Sequence, residues 1–362
     1  MRIGLVADPC DENGAGGLGR AIYELTAHVA ARAPKTHDIV VYAKRRPSIP
    51  VSWHRLPDHV WLAGHRALDP NLDWYIFFTP VISLFFKPKR AIVVAHDFVN
   101  FREHSHTCVG TIRQRILFMM QKRSLRYADT VVCVSAATKK DAVDLFGIEE
   151  SKCIVVPIAG MPPGNPVPLP DTPEHFFLFV GVLKERKNIA NMIRAFAQFA
   201  ADDTEGYTFF LAGKAEGEYA EELHMLVRAL GMQDRIRFLG FVTNETLAFL
   251  YQKAAALCFV SSAEGFGMPV VEAFRAGCPV ITAHDGALAE TAGDAALLSD
   301  PQSPLSIAHA MRRIAHEPET RKLLIQRGKE QGKSFSWDAA ADTLLTLIKE
   351  KHSILHAKQS AV

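Results

Sequence analysis

Short, unbroken apolar runs, each followed by a segment of helical periodicity, recur from one end of this chain to the other. In the first half the runs fall at 2–7, 38–43, 73–78, 91–96, 130–134 and 153–156, with helical patterns at 18–33, 111–127 and 137–146 between them. In the second half they fall at 176–182, 208–212, 235–239, 256–261, 279–283 and 295–298, with helices near 189–201, 218–230, 244–253, 269–276 and 303–316. Strands that read as continuous Val/Ile/Leu/Phe are apolar on both faces. Alternated with helices, they specify parallel sheets covered on each side, an α/β fold. Between the halves, Gly160 to Pro173 holds six prolines in fourteen residues. Proline fixes φ and removes a donor, so this stretch continues neither element and reads as a stiff linker. The tail, 319–355, reads as two more helices, the second starting at Ser336 before Trp337.

At 362 residues the chain is long enough for two domains, at about 150 residues each, with a core apiece. A formal net charge of +2 asks for no nucleic-acid partner. Cysteines 10, 108, 133, 153, 258 and 278 lie far apart, without a C-x-x-C pair or zinc-like spacing, and most sit in apolar runs as small core residues, consistent with a reducing compartment. The N-terminus enters a strand at once and is not a signal peptide. The longest uncharged apolar stretch, 74–86, falls short of the roughly 20 residues a span needs and is interrupted by Pro80.

The most specific local pattern is Glu264-Gly-Phe-Gly-Met-Pro-Val-Val-Glu272. It follows an apolar strand and precedes a helix closed by Gly277, with Pro269 read as the first helical residue and Glu272 in the first turn. The amides of Gly265, Phe266, Gly267 and Met268 would then meet at a helix N-terminus, where anions bind. In an open α/β sheet, ligands sit at the strands' carboxyl ends. Glu272 could accept two hydrogen bonds from a ribose diol, and Glu264 could stabilise charge near an anomeric carbon.

Strand 176–182 ends in a second loop carrying Arg186, Lys187 and Asn188. Asn188 reads as an N-cap for the helix at 189. Two cations before a helix start oppose its dipole, so they call for an anion between them, and a diphosphate fits. Residues 14–19 match G-x-G-x-x-G. An NADP-linked oxidoreductase is therefore one reading, with Lys44-Arg45-Arg46 for a 2′-phosphate. Six residues separate the strand from the first glycine, however, and a dinucleotide turn is tight. A loop that brings backbone at Gly16 and Gly17 close to a ligand is preferred. His96, with Asp97, ends the strand 91–96. No D-x-D or metal-spaced cluster occurs, so no metal and no cofactor are expected.

Taken together, these segments resemble the retaining, nucleotide-sugar-dependent glycosyltransferases of family 4 (group 1), which have the GT-B fold. The resemblance rests on EGFGMPVVEA as the family's E-x7-E motif, ERKN at 185–188 as its phosphate motif, RFLGFV at 237–242, GGLGR at 16–20, AHDF at 95–98, ADTVVCVS at 128–135 and Phe335-Ser-Trp337. It implies two Rossmann-like, doubly wound domains facing a cleft, an acceptor-side domain at 1–165 and a nucleotide-sugar domain at 166–336, with the helix of 337–362 crossing back to the first. By resemblance, Arg186 and Lys187 hold the diphosphate, Glu272 the ribose, Glu264 the donor sugar near the reacting carbon, Val242 the base, and His96 the 6-position region. Many relatives have an arginine directly after the strand-end glycine; here it is Val182. The expected activity is metal-independent transfer of a hexose, mannose from GDP-mannose first, to a saccharide or lipid-linked saccharide in surface polysaccharide or lipopolysaccharide synthesis. The alternatives are a UDP-sugar donor and an inactive GT-B binding protein. The stretch Ile112 to Arg126 sets Arg113, Arg115, Lys122, Arg123 and Arg126 around Ile116 to Met120. Such a basic amphipathic helix fits peripheral contact with an anionic membrane, here the inner face from a cytoplasmic location.

Overall fold

A computed structural model describes residues 1–10, 17–58, 64–102, 112–161, 164–215 and 217–359. Two compact units emerge: Met1–Ile158 with Ser336–Val362, and Ala159–Phe335. The first contains β1 (Arg2–Val6), α1 (Gly17–Arg32), β2 (Asp38–Ala43), β3 (Ser52–Arg55), β4 (Trp74–Phe77), β5 (Ala91–Ala95), α2 (Val99–Arg102), α3 (Ile112–Tyr127), β6 (Thr130–Cys133), α4 (Ala136–Phe146) and β7 (Cys153–Val155). The second contains β8 (Phe176–Val180), α5 (Ile189–Ala200), β9 (Thr208–Ala212), α6 (Glu218–Ala229), β10 (Ile236–Gly240), α7 (Asn244–Lys253), β11 (Ala256–Phe259), α8 (Met268–Ala276), β12 (Val280–Ala283), α9 (Gly286–Ala292), β13 (Leu297–Ser299), α10 (Pro304–His316) and α11 (Pro318–Lys333). The chain then returns to the first unit as α12 (Trp337–Gln359).

Both sheets are parallel, ordered β3-β2-β1-β4-β5-β6-β7 and β10-β9-β8-β11-β12-β13. Strand order reverses between β1 and β4 in one and between β8 and β11 in the other, the two topological switch points. Strand β8 illustrates why the runs are unbroken: Phe176, Phe177, Leu178 and Phe179 are all fully buried, so both faces are covered. Strand β3, Ser-Trp-His-Arg, has no such run. It is an edge strand with mostly exposed side chains, and periodicity does not reveal it.

Helix α12 lies along α1. It buries Trp337, Ala340, Ala341, Leu344 and Ile348, while Asp338 meets His28 at 2.8 Å and Asp342 accepts from Arg32. The break between units falls at 158/159, ahead of the proline-rich stretch. The described residues of that stretch are tied to the second unit, where the sequence reads a stiff linker between the halves: Glu272 and Arg275 bind its start, and the Val167 amide donates to the Glu245 carbonyl.

Candidate functional site

The site is assembled where β8 and β11 part. After β8 the chain makes a 3-10 turn over Glu185–Lys187, and after β11 it runs on to Glu264. The two loops are stitched together. The Ser262 amide donates to the Arg186 carbonyl at 3.0 Å, and the buried Asn188 side chain donates to the carbonyls of Val260 and Pro301 at 3.0 and 2.7 Å. Asn188 therefore does not cap α5 as its position suggests. It sits at φ 60 without a side-chain cap bond: its Oδ1 accepts from the Asn191 side chain at 2.9 Å instead of from a backbone amide.

This stitching brings both cations to one carboxylate. Lys187 Nζ lies 2.5 Å from Glu264 Oε1, and Arg186 Nη1 lies 3.4 Å from Glu264 Oε2 and 3.4 Å from the Ala263 carbonyl. Lys187 also stands over the Phe259 ring, 4.9 Å from its centre. The Glu264 and Lys187 side chains are 9% and 13% exposed, so this pair is screened far less than a surface pair. The anion that two cations at a helix start require is thus supplied here by the protein itself. The residues read from sequence as having different roles, Glu264 and the basic pair, are here in direct contact. Two cations and one carboxylate leave a net positive charge, suited to a ligand bearing more than one negative charge.

Helix α8 opens one residue earlier than read, at Met268, with Pro269 second. Gly267 takes φ 105, and a Cβ there would fall 2.7 Å from Leu288 Cδ2, so only glycine fits. Gly265 and Gly267 are buried at the helix start. The Phe266 ring is buried too, packed edge-on to Phe335 with centroids 5.4 Å apart. Its backbone remains beside the site, but its side chain belongs to the core.

Glu272 is the fifth residue of α8, beyond the first turn, so the helix dipole does not account for it. Its Oε1 accepts from the Met161 amide at 3.2 Å and its Oε2 from the Tyr251 hydroxyl at 2.9 Å. Burial, and then the Glu272 charge, push the Tyr251 phenol well above its ordinary range, which keeps it a donor. Gly160 passes so close that a Cβ would lie 2.7 Å from Glu272 Cγ. One turn on, Arg275 donates to the carbonyls of Gly160 and Phe335 at 3.2 and 2.5 Å. Sequence reading had not singled out Met161, Tyr251 or Arg275. For Tyr251 the available signal was a lone phenol among apolar residues, since a buried hydroxyl needs a partner.

The remaining candidates lie elsewhere. Val242 is half-buried beyond the edge strand β10. Gly17 begins α1 in the first unit, where a Cβ would meet nothing within 4 Å, and Gly16 lies outside the described residues. His96 follows β5, also in the first unit. Its Nε2 is buried with no partner among the described residues, and burial pushes the imidazole down to about 4 despite a bond to the Phe78 backbone. Among the described residues no group of three or more His, Cys, Asp or Glu could hold a metal ion, and no helix is long and apolar enough to cross a membrane.

Comparison with known proteins draws these parts into one assignment. The family described as Glycosyltransferase Family 4 matches residues 15–159, and that described as Glycosyl transferases group 1 matches 166–331. The chain belongs to glycosyltransferase family 4. It is 28% identical over 298 residues to the O-antigen chain mannosyltransferase B of Escherichia coli, covering 76% of this chain and 77% of that one. It is 23% identical over 331 residues to the serotype-specific mannosyltransferase WbdA of Escherichia coli, spanning 87% of this chain but only 39% of that longer protein. The sucrose-phosphate synthase of Thermosynechococcus elongatus superposes with a TM-score of 0.76 at 20% identity, over 98% of this chain and 100% of that one. As a family 4 glycosyltransferase the chain has the GT-B fold, built from its two Rossmann-like units. The family match covers the glycine loop from residue 15, which sets the nicotinamide reading aside.

Proposed function

We propose that this glycosyltransferase moves a hexose, with retention, from a nucleotide diphosphate sugar to a saccharide or lipid-linked saccharide acceptor in surface polysaccharide synthesis, with GDP-mannose as donor. The observation that carries the proposal is the Arg186–Lys187–Glu264 cluster at the β8/β11 switch point, with the α8 N-terminus and Glu272 on the same strand-to-helix connection. The mannosyltransferase relatives support the choice of sugar and of acceptor class.

In this reading Arg186 and Lys187 take the diphosphate and stabilise the charge that grows on it as the anomeric carbon–oxygen bond breaks. Glu272, an acceptor-only carboxylate, accepts from the ribose hydroxyls. Glu264 turns toward the donor sugar once phosphate oxygens replace it beside the cations. His96, neutral at working pH, offers its unpartnered Nε2 to a polar group of the sugar. The reaction asks for no metal in this reading, the two side-chain cations serving in its place. A thermal-shift panel of GDP, UDP, ADP and their common sugars tests the donor. GDP and GDP-mannose should give the largest shifts, about 2.7 kcal/mol of added stability at 100 times the dissociation constant. A larger response to UDP-sugars would replace mannose as the cargo.

The acceptor reading extends to the membrane. Helix α3 exposes Ile112, Ile116, Leu117 and Met119, with Arg115 and Arg126 also exposed. Arg123 holds the carbonyls of Ile82 and Leu84, fixing beside the helix a loop that exposes Leu84 and Phe85. An apolar strip with a basic border suits an anionic bilayer surface. Flotation with anionic vesicles should recover the protein at low salt and less of it at high salt; salt-independent absence from the vesicles would remove the membrane from the account.

A further inference from the structure

We infer that Tyr251 is a positioning residue for nucleotide recognition, acting through Glu272; this rests on the reading of Glu272 as the ribose ligand. A glutamate side chain on a helix surface samples several rotamers, and ordering it when ligand arrives costs conformational entropy. Here both oxygens are held by the protein's own donors. Tyr251, buried on α7, donates to Oε2 at 2.9 Å, and the Met161 amide donates to Oε1 at 3.2 Å. Gly160 passes beside Cγ too closely for any larger residue. The two donors approach different oxygens, so they fix the plane of the carboxylate as well as its position. An ionised carboxylate only accepts, with more lone pairs than these two donors use, which is the chemistry a diol needs. An aliphatic or aromatic residue of the same volume at 251 would fill the core equally well. Only the hydroxyl of Tyr251 takes part in the orientation, and Tyr251 stands 21 positions from its partner in sequence.

The inference predicts a separation between ligands with and without ribose. Binding of GDP, UDP and inorganic pyrophosphate is measured by calorimetry on the wild type, Tyr251→Phe, Glu272→Gln and the double variant. Tyr251→Phe should weaken the tighter of the two nucleotides about 3- to 10-fold, the worth of one hydrogen bond. Pyrophosphate affinity should not change, and Tyr251→Phe should add nothing in the Glu272→Gln background. If the wild type binds neither nucleotide more tightly than pyrophosphate, or Glu272→Gln leaves nucleotide affinity intact, the ribose reading falls and the inference with it. If Glu272→Gln weakens nucleotide but Tyr251→Phe does not, the ribose reading stands and positioning by Tyr251 is wrong. Equal losses of nucleotide and pyrophosphate in Tyr251→Phe, or an undiminished effect in the double variant, would equally overturn it, since a purely structural hydroxyl would behave that way.

Discussion

Glu264 is shared by Arg186 and Lys187, so a diphosphate bound by those cations would compete with a carboxylate for them. Replacing it by Glu264→Gln removes a negative charge from the phosphate's surroundings while keeping the shape. Nucleoside diphosphate should therefore bind more tightly, by about 1 kcal/mol or roughly fivefold, while sugar transfer slows because the group near the reacting carbon has lost its charge. Calorimetry and a transfer assay on the same variant check both. Weaker product binding would mean that Glu264 chiefly holds the cations in place. His96 makes a second prediction at this scale. Its folded pKa of about 4 lies below the free value of 6.5, so the unfolded chain takes up a proton that the folded chain refuses. The stabilisation is complete above pH 6.5 and erodes as pH falls toward 4. Urea unfolding between pH 7 and 4.5 should show wild-type stability falling more steeply than that of His96→Asn, by at most about 1.4 kcal/mol per pH unit. Parallel profiles would mean that His96 is not held neutral.

Helix α8 carries more than its first turn suggests. Arg275 bonds to carbonyls on either side of the second unit, at Gly160 just after the chain enters and at Phe335 just before it leaves. Arg275→Ala removes two charge-assisted bonds and should quicken amide exchange around 159–161 and 334–336 before it affects β8 or β11. Uniform exchange changes, or none, would deny Arg275 this local role. Much of the architecture was legible because buried parallel strands such as β8 and β11 cannot avoid continuous apolar runs. Strand β3 escaped because an exposed edge leaves its side chains polar, and α9 because seven residues carry too little periodicity. The E-x7-E spacing marked the connection from β11 to α8. It could not reveal that Glu272 is held by Tyr251 and by Met161, 111 residues away in sequence, or that Asn188 abandons its cap to join β11 to the loop at Pro301. Those are facts of tertiary contact between residues that no local pattern links.

At the scale of the whole molecule, each unit has its own sheet and its own hydrophobic core, and the second is continuous in sequence from Ala159 to Phe335. Every group proposed here for the diphosphate and ribose lies in that second unit, whereas His96 and the α3 surface lie in the first. The proposal thus sets the diphosphate and ribose ligands on one continuous segment of the chain. It makes the basic pair at 186 and 187 the claim on which the rest depends. The most direct test is the rate of sugar release or transfer from GDP-mannose by the wild type, Arg186→Ala and Lys187→Ala under identical conditions. Each substitution removes a charge-assisted contact of about 1.5–3 kcal/mol, so each should slow the reaction about 10- to 100-fold with the fold intact. Near-wild-type rates in both variants would contradict the account.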